Sequence, residues 1–173
     1  SINFRRKPTD SIWDKHLYVE DNGKFRAELG TWETDILNEE LAHKDVAAWL
    51  RNVDRQPWSL EIPYESGGRI GSMFPDLIVV WKNSDGYTFD ILEPHDPSRA
   101  DNFEKALALA KFSERHGQLF GRIEMIRAAK AKVGRATQYV RLNINQTAVR
   151  KKVSLITSNP QLDALFESDG KSK

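Results

Sequence analysis

Two acidic residues stand where buried β-strands are expected to be apolar. Asp76 lies near the start of the apolar segment 74–81, and Glu93 lies near the end of the segment 89–95. The polar stretch 82–86 joins the two segments and predicts a hairpin turn. Antiparallel pairing would bring Asp76 and Glu93 to adjacent strand ends, where their carboxylates can face each other. Converging carboxylates of this kind are ligands for a hard divalent cation.

The elements that must position this pair follow from the periodicity of apolar residues. Two long helices are predicted over residues 32–53 and 102–116. Predicted strands cover residues 58–64, 74–81, 89–95, 120–128 and 137–144. A basic helix is expected from Asn145 to about Ile156, and a short helix follows Ser158. Meander strands between helices favour an α/β fold with a central mixed sheet flanked by helices, rather than a doubly wound parallel sheet.

The expected domain organisation has three parts. Residues 1–31 form an N-terminal linker and β-hairpin arm, because Asp21-Asn22-Gly23 is a strong turn signal. Residues 32–167 form the main domain, and residues 168–173 form a disordered tail. The first residue is not Met, so a processed chain or a fragment of a larger protein is expected.

Composition limits the classes of function. The chain has 173 residues, 39% of them hydrophobic and 29% charged, with a net charge of +1. This balance predicts one soluble domain with a substantial core, and any anion site must come from local clusters of charge. The chain contains no cysteine, which excludes disulfides, thiolate nucleophiles and Cys-ligated zinc. No apolar run approaches the ~20 residues of a membrane span, and a cytoplasmic location is expected.

An ordered set of motifs accompanies the acidic pair: Glu33 near the start of the first helix, Trp49 through Asn52, Ile62-Pro63-Tyr64, Pro75-Asp76, and Glu93-Pro94-His95. This set, over about residues 32–130, resembles the PD-(D/E)xK nuclease superfamily. More narrowly, it resembles the C-terminal nuclease domain of type III restriction subunits and related helicase–nucleases.

The resemblance implies a restriction-endonuclease-like core and a DNA endonuclease activity that hydrolyses phosphodiester bonds. It implies Mg²⁺ (or Mn²⁺) held by Asp76, Glu93 and the backbone carbonyl of Pro94, with Glu33 contributing through water. It also implies a helicase or ATPase module, in the same or an associated chain, in a restriction or phage-defence system.

His95 departs from the superfamily pattern, which has Lys two residues after the second acid. Residues two apart share a face of a strand, so His95 is expected beside Glu93, where the lysine would stand. Three alternatives stay open. In the first, His95 takes over the lysine's role as base, and activity falls as pH drops below an imidazole pKa near ~6.5. In the second, Lys105 or Lys111 reaches the site from the next helix. In the third, the domain is inactive and binds DNA or a partner subunit.

Each candidate also has a structural interpretation. Asp76 could cap a turn, Glu93 could pair with Arg99, and Glu33 could be the acid that any first helical turn favours. Glu40, seven residues after Glu33, is a rival on the same helix face. Asp90 is expected to face solvent or a helix, away from Glu93.

Two basic runs could contact DNA phosphates or form solvated surface: one from Arg127 to Arg135 around Gly134, and Arg150-Lys151-Lys152. Lys130, Lys132 and Arg135 of the first run are the predicted DNA contacts.

Overall fold

The structure, a computed structural model, describes residues 6–129 and 136–172. The strands in chain order are β1 (Ile12–Trp13), β2 (Phe25–Arg26), β3 (Val46–Arg51), β4 (Ile62–Ser66), β5 (Arg69–Met73), β6 (Leu77–Asn83), β7 (Gly86–Pro94), β8 (Phe120–Ala128), β9 (Tyr139–Asn143) and β10 (Lys171–Ser172). The helices are α1 (Thr31–Leu41), α2 (Asn102–His116), α3 (Thr147–Val153) and α4 (Asn159–Asp169). None of the helices in this described part is long and apolar enough to cross a membrane.

A six-stranded mixed sheet forms the centre of the molecule, in the order β10-β9-β8-β7-β6-β3. Strands β7 and β8 are parallel and are connected through α2, whereas the other neighbours are antiparallel. Helices cover both faces of the sheet. The α/β fold with a central mixed sheet flanked by helices, predicted from the sequence, is therefore confirmed.

The two faces of the sheet bury separate apolar clusters. One cluster packs beneath α2, α3 and α4 and includes Ile91, Leu109 and Met125. The other packs beneath α1 and the N-terminal arm and includes Trp49 and Phe25. Because the sheet is covered on both sides, the side chains along β7 alternate between two buried environments rather than between core and solvent.

The hairpin β6–β7 places the acidic pair as the sequence predicts. Leu77 pairs with Leu92 in the antiparallel register, so Asp76 and Glu93 follow directly at the open end of the hairpin. The strands are joined at the other end by a tight turn at residues 84–85. Helix α2 and strand β8 also lie where the sequence predicts them.

The helix predicted over residues 32–53 is wrong in its second half. Helix α1 ends at Leu41, and residues 46–51 form β3, which pairs with β6 at the edge of the sheet. Val46 and Trp49 are buried there. Their spacing of three fits a helix, but pairing with β6 and a bulge between Val46 and Ala48 bury both residues in a strand instead.

Two further predictions are corrected. The strand predicted over residues 58–64 begins later, as β4, and it does not join the central sheet: it forms a separate hairpin with β5 that packs along α2. Residues 168–172 were expected to be disordered, yet α4 continues to Asp169 and β10 then pairs with β9. The tail is ordered because Phe166 is buried and the extended residues after Gly170 complete the sheet edge.

Candidate active site

Asp76, Glu93 and His95 line one cavity of about 370 Å³ at the open end of the β6–β7 hairpin. Pro94 and Lys105 also line it, the latter from the first turns of α2. Glu93 lies in β7, Asp76 directly precedes β6 and His95 directly follows β7, whereas helix α2 supplies the cation. The structure thus brings together most of the residues that the sequence singles out.

The two carboxyl groups are close and poorly solvated. The backbone N–H of Asp76 donates a hydrogen bond to Glu93 Oε2 at 3.0 Å. Burial raises the pKa of Glu93 well above its usual value, and the negative charge of Asp76 raises it further. Burial also raises the pKa of Asp76 to about 7, with a second contribution from the charge of Glu33. Acidic groups collect here with only partial compensation from nearby cations, which is an environment that favours a bound cation.

Glu33 reaches this group from the start of α1. Its carboxylate accepts a hydrogen bond from the backbone N–H of Gly30 at 2.7 Å, so it also caps the helix. Arg51 Nη1 lies 2.5 Å from Glu33 Oε1, and Arg51 Nη2 lies 3.8 Å from Asp76 Oδ1. Glu33 is therefore both a first-turn acid and a neighbour of the site.

Arg51 is a residue of the site that the sequence analysis missed. It ends β3, next to the start of β6, and pairs in register with Leu77. The available signal was its place inside the Trp49–Asn52 motif. Assigning that motif to a helix removed Arg51 from the sheet edge and hid its proximity to Asp76.

His95 is buried beside Glu93 without a polar partner. Within residues 6–129 and 136–172, neither ring nitrogen of His95 forms a hydrogen bond. Its ring centroid lies 5.5 Å from that of Phe166, and its backbone N–H donates to the Ile126 carbonyl at 2.9 Å. Burial, followed by the positive charge of Arg127, lowers the pKa of His95 to about 4. The imidazole is therefore neutral near pH 7 and carries an available acceptor nitrogen.

The two candidate lysines lie in different places. Lys105 lines the site cavity, with Nζ 3.4 Å from Asp101 Oδ2, and its charge acts to lower the pKa of both Glu93 and His95. Lys111 lines a separate cavity between α2 and the β4–β5 hairpin. Lys105 thus remains a candidate, while Lys111 is placed away from the acids.

The ion pair with Arg99, which was the structural alternative for Glu93, is not observed. Arg99 lines the same cavity, but Glu93 and Arg99 form no ion pair in the part of the chain that the structure describes. The predicted DNA contacts Lys130, Lys132 and Arg135 lie outside the described residues.

Asp90 and Glu40 belong to a different cluster, on the α1 face of the sheet. Arg122 lies 2.7 Å from both carboxylates, and Arg141 Nη1 lies 2.7 Å from Glu40 Oε1 and 3.0 Å from Glu124 Oε2. Asp90 lies away from Glu93, as expected, and of the two alternatives it takes the helix-covered one: it is buried against Arg122 on the α1 face and does not face solvent. Glu40 is likewise a structural residue and not a rival of Glu33 at the site.

Breaking this network should destabilise the fold without touching the acid pair. Arg141→Met removes one of two cations that compensate the fully buried Glu40, and Arg122 remains. A buried charge left without any partner costs roughly 3–5 kcal/mol, so we expect a loss of free energy of unfolding near the lower end of that range, about 3 kcal/mol. Urea denaturation monitored by tryptophan fluorescence measures it. A loss below ~1 kcal/mol would show that the network contributes little.

The donors available for a metal ion are few. Within residues 6–129 and 136–172, no group of three His, Asp or Glu side chains has an arrangement that could hold an ion. A cation at this site would therefore depend on Asp76, Glu93, the Pro94 carbonyl and water. Mg²⁺ commonly binds proteins through one or two carboxylates and retains several waters, so this donor set is compatible with it.

Comparison with known proteins gives the family. The YagJ family matches residues 14–173, a span that contains Glu33, Asp76, Glu93, His95 and Lys105. The chain belongs to the YagJ family. Protein YagJ of Escherichia coli strain K12 is 28% identical over 123 residues, which are 70% of this chain and 51% of that protein.

The chain thus aligns with about half the length of this YagJ relative. No solved structure was found to match the chain. The YagJ name states no reaction, and the resemblance to PD-(D/E)xK nucleases remains a prediction.

Proposed function

We propose that this chain carries a Mg²⁺-dependent (or Mn²⁺-dependent) DNA endonuclease site on a restriction-endonuclease-like core. The observation that carries the proposal is the acid pair, in which Asp76 and Glu93 meet at the ends of adjacent strands and share one cavity with His95. DNA is proposed as the substrate because the order of motifs resembles that of the PD-(D/E)xK nucleases. By the same resemblance, a helicase or ATPase module in the same or an associated chain would deliver the DNA.

The residues present fit a divalent cation. Burial raises the pKa of both Asp76 and Glu93, and the charge of a neighbouring acid raises each further, so a dication would compensate both ionised carboxylates. The Pro94 carbonyl would complete the protein donors, and Glu33 would act through water. When bound, the ion supplies charge stabilisation to the phosphate and lowers the pKa of a water molecule.

The side chains around the acids supply the remaining chemistry. His95 is neutral, so an unpaired ring nitrogen can orient a water molecule or accept its proton. Lys105 brings a positive charge from α2 into the same cavity, where it can stabilise negative charge that develops on the phosphate. Asp76 and Glu93 would hold the cation, and through it the phosphate, in position.

A second candidate function has one observation in its favour. Arg51 already lies 3.8 Å from Asp76 and 2.5 Å from Glu33, so a side chain of the protein partly compensates the acids. With His95 in place of the lysine, this arrangement is also compatible with a catalytically inactive, nuclease-like domain. Such a domain would bind DNA or a partner subunit.

Cleavage assays distinguish the two functions. Supercoiled, linear and single-stranded DNA are incubated with the protein in Mg²⁺, in Mn²⁺ and in EDTA. We expect nicking or cutting with either metal, and none in EDTA. Absence of cleavage under all metal conditions, with any motor module included, would favour the inactive domain.

The free energy of unfolding should depend on pH in the metal-free protein, and bound Mg²⁺ should reduce this dependence. The folded protein raises the pKa of Asp76 from 3.8 to about 7, so it binds a proton that the unfolded chain releases. Stability without metal therefore falls as pH rises through this window, by roughly 1–3 kcal/mol. Saturating Mg²⁺ should reduce this fall, because the metal ligands are ionised.

Thermal unfolding at pH 5 and pH 8, with EDTA or Mg²⁺, measures this effect. Asp85→Asn, a change in the exposed hairpin turn, serves as control. Equal pH dependence with and without Mg²⁺ would contradict the prediction.

A further inference from the structure

A second cleft adjoins the candidate site on the side of Arg51. It has a volume of about 750 Å³ and lies between the N-terminal arm and residues 51–56, at the end of β3 and just after it. Its acidic lining residues are Asp10, Glu28 and Asp54, whereas its cationic lining residues are Arg6, Lys7, Arg26, Arg51 and Arg55. Arg6 and Arg26 lie 3.0 and 3.7 Å from the Glu20 carboxylate, and Arg51 pairs with Glu33, so Lys7 and Arg55 are the lining cations without an ion pair among the described residues. The whole chain has a net charge of only +1, so this excess of cations over acids is local.

The cleft adjoins the site. Arg51 lines the cleft and also lies 3.8 Å from Asp76. Asp54 lines both cavities. An extended ligand whose reacting group lies at Asp76 and Glu93 can therefore follow the protein surface past Arg51 into the cleft.

One wall of the cleft is rigidly built. The Asn52 side chain donates to the Leu60 carbonyl at 2.9 Å and accepts from the Leu60 N–H at 2.8 Å. The Asn52 N–H donates to the Asp76 carbonyl at 2.9 Å, which ties this wall to the site. Loop residues held in this way can present side chains to a ligand without a large ordering cost.

Arg55 is the residue of this wall that most directly suggests a ligand. Its φ of 57° lies in the left-handed region, which costs a non-glycine residue roughly 1–2 kcal/mol. Its exposed side chain forms no hydrogen bond or ion pair within residues 6–129 and 136–172. A strained backbone that carries an unpaired guanidinium group into a cleft is a feature found at binding sites.

The opposite wall belongs to the N-terminal arm. Arg26 Nη1 donates to the Pro8 carbonyl at 2.8 Å, which positions its guanidinium group beside the cleft. The Asp10 carboxylate accepts a hydrogen bond from the Lys7 backbone N–H at 2.7 Å, so this acid serves the local turn. The Lys7 side chain has no ion pair in the described part of the chain.

We propose that this cationic cleft binds the phosphate backbone of a DNA strand beside the scissile phosphate. The inference rests on the proposed function, because the site at Asp76 and Glu93 defines where the strand would be cut. Guanidinium groups suit phosphate oxygens, since they donate paired hydrogen bonds and stay charged. Cations on two walls, leading away from the acids, match the repeated charge of a strand better than a single phosphate.

Fluorescence anisotropy with a labelled 20-nucleotide strand tests the cleft. Titrations use the whole chain in EDTA between 50 and 200 mM salt, so binding is separated from metal-dependent cleavage. The combination Arg26→Ala with Arg55→Ala should weaken binding at least about tenfold and reduce the salt slope by roughly 1–2. Arg115→Ala, an exposed change in the last turn of α2, should bind like the wild type.

Three results would overturn the proposal: no binding by the wild type at 50 mM salt, unchanged binding by the double variant, or displacement of the strand by equimolar thymidine monophosphate. Arg55→Glu alone, which removes no hydrogen bond or ion pair among the described residues, keeps the test valid should the double variant fail to fold. If the cleft variants bind the strand normally and the wild type still cleaves DNA, the cleft proposal fails and the nuclease proposal stands. Cleft-dependent binding without cleavage supports the cleft and rejects the nuclease activity.

Discussion

Asp76→Asn is expected to lower metal-dependent DNA cleavage by roughly 100- to 1000-fold, while making the metal-free protein more stable. Asparagine keeps the size of the side chain and leaves the backbone hydrogen bond to Glu93 in place. It removes one of two charges that burial and mutual repulsion make unfavourable. We expect the free energy of unfolding at pH 8 without metal to rise by roughly 1–3 kcal/mol.

Plasmid nicking and urea denaturation of the same preparation measure both effects of Asp76→Asn. Asp85→Asn is the matched control, because it makes the same chemical change in the exposed β6–β7 turn. It should alter neither property. If Asp76→Asn destabilises the metal-free protein, the residue has a structural role. If it cleaves like the wild type, Asp76 is not part of an active site.

His95→Ala should reduce cleavage by at least about 100-fold, whereas His95→Lys should keep substantial activity. His95 lies beside Glu93, and a lysine there would restore the residue of the superfamily on the same wall of the cavity. With an ordinary imidazole, cleavage would fall as pH drops through about 6.5. Because the pKa of His95 is lowered to about 4, we expect that fall in activity near pH 4 instead. The group loses its base form only as pH falls through that value, so it does not limit activity between pH 5 and 8.

Lys105 offers the competing outcome. If it supplies the essential charge, His95→Ala is mild and Lys105→Met is severe. Lys111→Met is the matched control, because Lys111 lies on the same helix but lines a different cavity. Single-turnover cleavage rates of the three variants, measured between pH 5 and 8, distinguish these cases. A severe loss in Lys105→Met with an unaffected His95→Ala would contradict the role given to His95.

The acid pair could be predicted from the sequence because local signals position it. Two apolar segments and one polar turn are enough to define the β6–β7 hairpin, and the hairpin fixes Asp76 opposite Glu93. Helix α2 has a clear apolar stripe and an end at Gly117, so its boundaries were also predictable. The placement of Lys105 near the acids follows from that helix.

The features that sequence analysis predicted wrongly or missed depend on contacts between distant parts of the chain. Strand β3 has the apolar spacing of a helix, and only its pairing with β6 makes it a strand. Arg51 was missed for that reason. Glu40 and Arg141 are 101 residues apart in sequence, so no local pattern indicates that they form a buried ion pair.

Isothermal titration of the metal-free protein with Mn²⁺ at pH 7.5 tests most directly whether Asp76 and Glu93 form a divalent cation site. We expect one site in the wild type and in Asp85→Asn. Asp76→Asn and Glu93→Gln should each weaken binding at least tenfold, since each removes one of two carboxylate ligands. No binding by the wild type, or equal binding by all four proteins, would contradict the proposed metal site.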